Sequence, residues 1–168
     1  MLHYTDATYV LKTDDDIFIH MSALMNYLKT RPYLGVKYFI LCAPAASSKV
    51  NRSWRSKWHV SPKEFPARVY PTYCPGWSVM YSVDTVNLLY EAAQEEPFFW
   101  IDDVYVTGIL AKKVNVTPTP MKDTLISARA LKFIIDRTHY VKQIMIGPPN
   151  LPVNMIRNLH NIVTDKPN

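Results

Sequence analysis

Tyr9-Val10-Leu11-Lys12-Thr13-Asp14-Asp15-Asp16-Ile17-Phe18-Ile19 is the stretch on which the reading of this chain turns. An apolar run leads straight into three adjacent carboxylates and then becomes apolar again. Neighbouring Asp side chains repel one another, and a buried cluster of them calls for a compensating cation. Hard oxygen ligands suit Mg2+ or Mn2+. A solvated acidic turn is the plain alternative, and the hydrophobic flanks favour the metal. Residues 8–13 read as a short buried strand delivering the triplet at its C-terminal end, where open α/β sheets bind ligands.

Outward from this point the spacing predicts a helix over residues 22–29, ended by Thr30-Arg31-Pro32, and a strand over 36–42. Residues 43–72 read as a long irregular segment containing Trp54 and Trp58. Aromatics there either fold over a ligand or pin the segment to the core. Pro75-Gly76-Trp77-Ser78 reads as a turn into a strand at 79–81, with Ser82 as N-cap of a helix over 83–94. Phe98-Phe99-Trp100-Ile101 then leads into Asp102-Asp103 and a helix from 104 to about 112. Beyond residue 120 the pattern weakens. Residues 125–135 suit a helix or a strand, Gly147-Pro148-Pro149 is a break, and 153–163 has helical apolar spacing.

The 168 residues, 48% of them hydrophobic, suffice for one ordinary domain with a real core. The net charge of +5 concentrates in Lys49, Arg52, Arg55, Lys57, Lys63 and Arg68. That cluster suits either a solvated basic loop or an anionic ligand such as a nucleotide diphosphate. No recognition-helix, zinc or single-strand-binding signature accompanies the charge, so nucleic acid is not an expected partner. No stretch approaches the roughly 20 apolar residues of a membrane span, and no signal peptide opens the chain. Cys42 and Cys74 sit among aromatic and aliphatic neighbours, where buried thiols are common; a bridge between them needs an oxidising compartment. Asn51-Arg52-Ser53 and Asn115-Val116-Thr117 are glycosylation sequons.

Two acidic sites stand out, Asp14-Asp15-Asp16 and Asp102-Asp103. On local evidence Asp103 suits first of all a helix N-cap or first turn, where the dipole favours a carboxylate; its functional reading is a general base. A metal-holding acid cluster with a separate basic carboxylate is a kit for displacing a diphosphate.

Four segments then resemble one family in its order. Lys12-Thr13-Asp14-Asp15-Asp16-Ile17-Phe18 resembles the K-x-D-D-D-[VI]-F segment of the β1,3-glycosyltransferases (the galactosyltransferase family, glycosyltransferase family 31). Lys57-Trp58-His59-Val60-Ser61 resembles its K-W-x-V-S segment. Tyr70-Pro71-Thr72-Tyr73-Cys74-Pro75-Gly76 is similar to its Y-P-x-Y-C-x-G turn. Asp102-Asp103-Val104-Tyr105-Val106-Thr107-Gly108 is similar to its E-D-V-Y-V-G block.

The resemblance implies an α/β, type A glycosyltransferase-like fold, and an inverting hexosyltransferase moving galactose or N-acetylglucosamine from a UDP-sugar donor to a glycan acceptor on glycoprotein or glycolipid. It implies Asp14 and Asp16 as holders of Mn2+ (or Mg2+) on the donor diphosphate, with Asp15 placing the ribose or the sugar. It implies Asp103 as the general base, with Lys57, Trp58, Gly76, Trp77 and Asp102 binding substrate. The pattern departs in three places: Asp102 stands for the family's Glu, Trp77 interrupts a small-residue run, and the metal-completing His has only His139 and His160 as candidates. His20 reads as structural.

The family also implies a membrane anchor and a first nucleotide-binding half ahead of the triplet. The expectation is therefore a partial catalytic domain over 1–168, motifs within 9–110, with the N-terminal nucleotide-binding half truncated. The full-length form would be a single-pass type II Golgi protein with these residues lumenal and Asn51 glycosylated more readily than Asn115. A non-catalytic remnant and a metal-dependent phosphohydrolase are the alternatives.

Overall fold

The computed structural model describes residues 6–29, 35–121, 125–134 and 146–164. The chain divides into two compact units, one of Met1–Leu11 with Lys37–Pro120 and the other of Lys12–Val36 with Met121–Asn168. A four-stranded sheet has the order β1-β3-β2-β4, from β1 (Tyr9–Thr13), β2 (Ile40–Cys42), β3 (Ser78–Ser82) and β4 (Pro118–Pro120). β2 runs antiparallel to β3 and parallel to β4. β4 carries two prolines, which a sheet tolerates only at an edge, and it ends the strand order.

In the first unit the core gathers around Ile40, Val60, Val79, Val104 and Leu110. Burying each such side chain contributes roughly 1.5–3 kcal/mol. Ser82 caps α2 (Val83–Ala93) as its sequence predicts, accepting from the Thr85 N–H. Thr85 Oγ1 in turn donates to the Phe39 carbonyl at 3.1 Å, fixing the helix start to the head of β2. The strand expected over 36–42 is shorter than its apolar run. Gly35 and Tyr38 both have positive φ and keep the chain from extending until Ile40. β1 is half-buried rather than buried, with Lys12 and Thr13 exposed.

The irregular segment 43–72 is a closed excursion. Its two legs pair antiparallel at Ala45 with Tyr73 and at Lys49 with Val69. Arg52 sits at its centre, its guanidinium donating to the carbonyls of Val60, Phe65 and Ala67 at 2.7–2.8 Å. Ser61 and Glu64 form a reciprocal cap, with the Ser61 N–H on Glu64 Oε2 at 2.7 Å and the Glu64 N–H on Ser61 Oγ at 3.3 Å. Cys42 and Cys74 are joined in a disulfide, their Cα atoms 5.8 Å apart, which corrects the expectation of buried thiols. β2 brings one sulfur to the foot of the excursion, where the other leg returns.

The helix expected from 104 starts earlier and is not uniform. α3 (Asp102–Val104) passes into a π-helical turn (Tyr105–Leu110) and then α4 (Ala111–Lys113). The segment holds one residue more than the E-D-V-Y-V-G pattern, Thr107 before Gly108, and a π turn is the way a helix takes in one extra residue. A Cβ at Gly108 would meet Tyr73 Cβ at 3.2 Å and Pro71 Cγ at 3.3 Å, so glycine lets the helix seat against the 70–76 turn.

In the second unit α1 (Met21–Lys29) buries Leu24 and Leu28. Ile19 bridges Ile146, which also bridges Leu125. Phe18 packs with Leu131 of α5 (Ala128–Ile134) and Leu159 of α6 (Val153–Thr164). The ambiguous 125–135 stretch takes both forms in its described part, a β-bridge at Leu125 and a helix from Ala128 to Ile134. A Cβ at Gly147 would lie 3.1 Å from Phe18 Cβ, so that glycine serves close packing as well as the break. Among the described residues no helix is long and apolar enough to cross a membrane.

Candidate functional site

Asp103 lies in the first turn of α3. Ile101 at the N-cap makes no side-chain cap hydrogen bond, and Asp102 and Asp103 are the acids of that turn. The Gly76 N–H donates to Asp103 Oδ2 at 2.7 Å. Thr107, one helical turn on, donates to the Asp103 carbonyl at 2.6 Å and accepts from the Cys74 N–H at 2.8 Å. Helix and turn are thereby locked together from both sides of the carboxylate. Asp103 is therefore a first-turn acid and also a group held at a surface.

That surface is a cavity of about 280 Å³ lined by Lys49, Asn51, Trp58, Tyr70, Tyr73, Asp102 and Asp103, with Pro75, Ile101 and Val104. Burial, and then the Asp103 and Asp102 carboxylates, raise the Tyr81 hydroxyl well above the usual tyrosine range, so it stays a neutral phenol behind the site. Tyr70 Oη is enclosed without a hydrogen-bond partner. Burial pushes it up, against the opposing pull of the Arg52 guanidinium.

Several sequence-expected residues meet here, and others do not. Trp58, Asp102 and Asp103 line the cavity, and Gly76 holds Asp103. Lys57 does not line it; its ammonium sits 5.0 Å over the Trp58 ring. Trp77 is half-buried and lies outside the lining. Of the basic cluster only Lys49 reaches the cavity, while Arg52 is spent on loop carbonyls and Arg55 lies over Trp54. Of the segment's aromatics, Phe65 packs on Tyr70 and Phe99, whereas Trp54 and Trp58 remain exposed. The aromatic that pins the segment to the core is thus Phe65 rather than either tryptophan. From sequence Lys49 stood only in the basic cluster and Asn51 only as a sequon, while Tyr73 and Thr107 lay inside motifs without a role of their own.

Asp14, Asp15 and Asp16 belong to the other unit. They form the turn that follows β1, with Asp14 and Asp15 exposed and Asp16 half-buried. The Asp16 carbonyl accepts from the Leu151 N–H at 2.8 Å, while its Oδ1 is enclosed and has no hydrogen-bond partner. An enclosed carboxylate oxygen of this kind is a costly group that a cation would satisfy. Mg2+-type ions are held by one or two protein carboxylates with phosphate oxygens completing the shell. Asp14 and Asp16 fit that donor set. Among the described residues no group of three or more His, Cys, Asp or Glu is placed to hold a metal ion. His20 has an enclosed Nδ1 without a partner, and its carbonyl accepts from Leu24 at the start of α1. His160 is exposed on α6, and His139 lies outside the described residues.

Residues 1–122 match the Galactosyltransferase family model. The chain is 34% identical over 113 residues to the human acetylgalactosaminyl-O-glycosyl-glycoprotein β-1,3-N-acetylglucosaminyltransferase, covering 67% of this chain and 29% of that protein. It is 34% identical to the human lactosylceramide 1,3-N-acetyl-β-D-glucosaminyltransferase, with 67% and 30% covered. It is 32% identical over 117 residues to the mouse β-1,3-galactosyltransferase 1, with 67% and 34% covered. The chain thus spans about a third of the length of the curated relatives it matches.

Proposed function

The chain belongs to the galactosyltransferase family, and from that premise we propose that it contributes to an inverting transfer of galactose or N-acetylglucosamine from a UDP-sugar to a glycan hydroxyl, giving a β1,3 link. One observation carries the reading: a helix-N-terminal carboxylate, Asp103, is clamped by the Gly76 N–H at the wall of a cavity that mixes aromatic faces with amide, ammonium and carboxylate groups. Such a mixture suits a sugar, which presents an apolar face and a rim of hydroxyls.

In this reading Asp103 accepts the proton of the acceptor hydroxyl as its oxygen attacks the anomeric carbon. The bond from that carbon to the diphosphate oxygen breaks on the opposite side, and UDP leaves with the electron pair. Asp103 needs only to be ionised and within hydrogen-bond reach of the hydroxyl. Lys49, Asn51 and Asp102 bind acceptor hydroxyls around it. Asp14 and Asp16 would hold a divalent cation, Mn2+ or Mg2+, and the enclosed, partnerless Asp16 Oδ1 supports that assignment. When bound, such an ion neutralises charge on the departing diphosphate. Asp15 is assigned to the donor's ribose or sugar. A type A glycosyltransferase fold and a Golgi-lumenal setting belong to the same proposal; the Cys42–Cys74 bridge supports an oxidising compartment.

The test is transfer itself. The full chain is incubated with UDP-galactose or UDP-N-acetylglucosamine, a glycan acceptor and Mn2+, and the product is examined by NMR. A β1,3-linked product made only when a divalent cation is present supports the proposal. An α-linked product overturns the inverting mechanism. No transfer, with no Mn2+-dependent affinity for UDP, leaves the non-catalytic reading in its place.

A further inference from the structure

We infer that Trp58 and Trp100 form a carbohydrate-stacking platform that continues the Asp103 cavity outward, so that the acceptor is recognised as a disaccharide or longer glycan. This rests on the reading of that cavity as a glycan-acceptor site.

The two rings are parallel within 6°, with centroids 6.0 Å apart. At that spacing they are slipped past one another, and each leaves much of its surface uncovered. Trp58 is 50% exposed and Trp100 39%. Leaving this much indole in water forgoes burial that a core position would gain. Trp58 lines the cavity wall, whereas Trp100 lies beyond it. The platform therefore starts inside the site and runs out of it.

Its backing is rigid. Phe99, next to Trp100, is buried and packs on Phe65 and Tyr70. Trp100 itself packs against Phe99, with ring centroids 6.4 Å apart. A held aromatic face costs little conformational entropy when a ligand lies on it. The cavity of about 280 Å³ falls just under the ~300–1,000 Å³ of drug-sized ligand pockets. It suits one pyranose ring, which leaves the aromatic faces outside it for the next sugar. The Lys57 ammonium over Trp58 is on an exposed side chain and can move aside.

The experiment compares KM for a monosaccharide glycoside and a β-linked disaccharide glycoside in the wild type, W100A, W100F and, as a control outside the cavity, W54A. A donor-free titration with the free disaccharide, followed by saturation-transfer NMR, accompanies it. The expected result is a disaccharide KM about tenfold below the monosaccharide KM. W100A should erase that preference through KM, W100F should restore most of it, and W54A should keep it. A preference that survives W100A, or that W54A erases equally, overturns the platform. If nothing is transferred, but the disaccharide binds and W100A weakens that binding about tenfold, the platform stands and the transfer reading falls. If the wild type binds no disaccharide, the platform is overturned whatever the transfer assay shows.

Discussion

The backbone N–H of Gly76 donates to Oδ2 of Asp103 at 2.7 Å, across 27 residues of sequence. That bond couples the turn after the disulfide to the first turn of a helix, and Thr107 repeats the coupling one turn later through the Cys74 N–H and the Asp103 carbonyl. The carboxylate's position is thus set by main-chain atoms on two elements rather than by its own rotamer alone.

Replacing Thr107 with Val keeps the shape and removes the hydroxyl, stranding a buried Cys74 N–H. The expected loss is about 1–3 kcal/mol in urea unfolding, and Thr107→Ser should recover most of it. Unchanged stability in Thr107→Val would show that the hydroxyl is not the link between helix and turn.

The Cys42–Cys74 bridge closes a loop with a sequence separation of 32. Chain-entropy reasoning puts its stabilisation at about 3–4 kcal/mol. Dithiothreitol should therefore lower the urea midpoint strongly, and the oxidised, denatured chain should show no thiol by Ellman titration. Two titratable thiols and no response to reductant would contradict the bridge.

If the chain matures in an oxidising secretory lumen, Asn115 is the sequon expected to carry glycan, which reverses the order read from sequence. The Asn51 amide donates to Ser56 Oγ at 2.9 Å and its residue lines the Asp103 cavity. Asn115 is exposed in a left-handed turn, away from that cavity. Asn115→Gln should abolish the band shift seen on N-glycosidase digestion and Asn51→Gln should leave it. The opposite pattern would refute the assignment.

The hydrogen bonds of the Ser61 side chain, and then of the Ser61 backbone, hold the Glu64 carboxyl below the usual glutamate range. A carboxylate depressed in the folded state adds stability above about pH 4.5 that fades as pH falls through its lower folded value. Glu64→Gln keeps the capping geometry without the charge. Its stability should be flatter than the wild type's between pH 5 and 3, an interval set by that pKa. Parallel pH profiles for the two proteins would exclude this contribution.

The sequence was most legible where periodicity and local capping decide the outcome. The Ser82 cap with α2, the helix ending at Lys29 and the one over 153–164 all follow from such local signals. It was least legible where distant atoms decide. Arg52 looked like part of an anion-binding cluster, and only folding shows its guanidinium turned onto three loop carbonyls. The Asp103 motif was readable, but its clamp by Gly76 and Thr107 depends on a π turn that no periodicity announces. Trp100 appeared only as one of four apolar residues before an acid pair. Its stacking on Trp58 joins positions 42 residues apart, a pairing that no local pattern encodes.

The most direct measurement is the turnover number of Asp103→Asn beside its Mn2+-dependent affinity for UDP. Asn keeps an oxygen for the Gly76 N–H, so the fold and the helix start are preserved while the base is removed. The account predicts a fall in kcat of about 10²–10⁴-fold with UDP affinity within about twofold of the wild type. A variant that turns over at close to the wild-type rate would contradict Asp103 as the base.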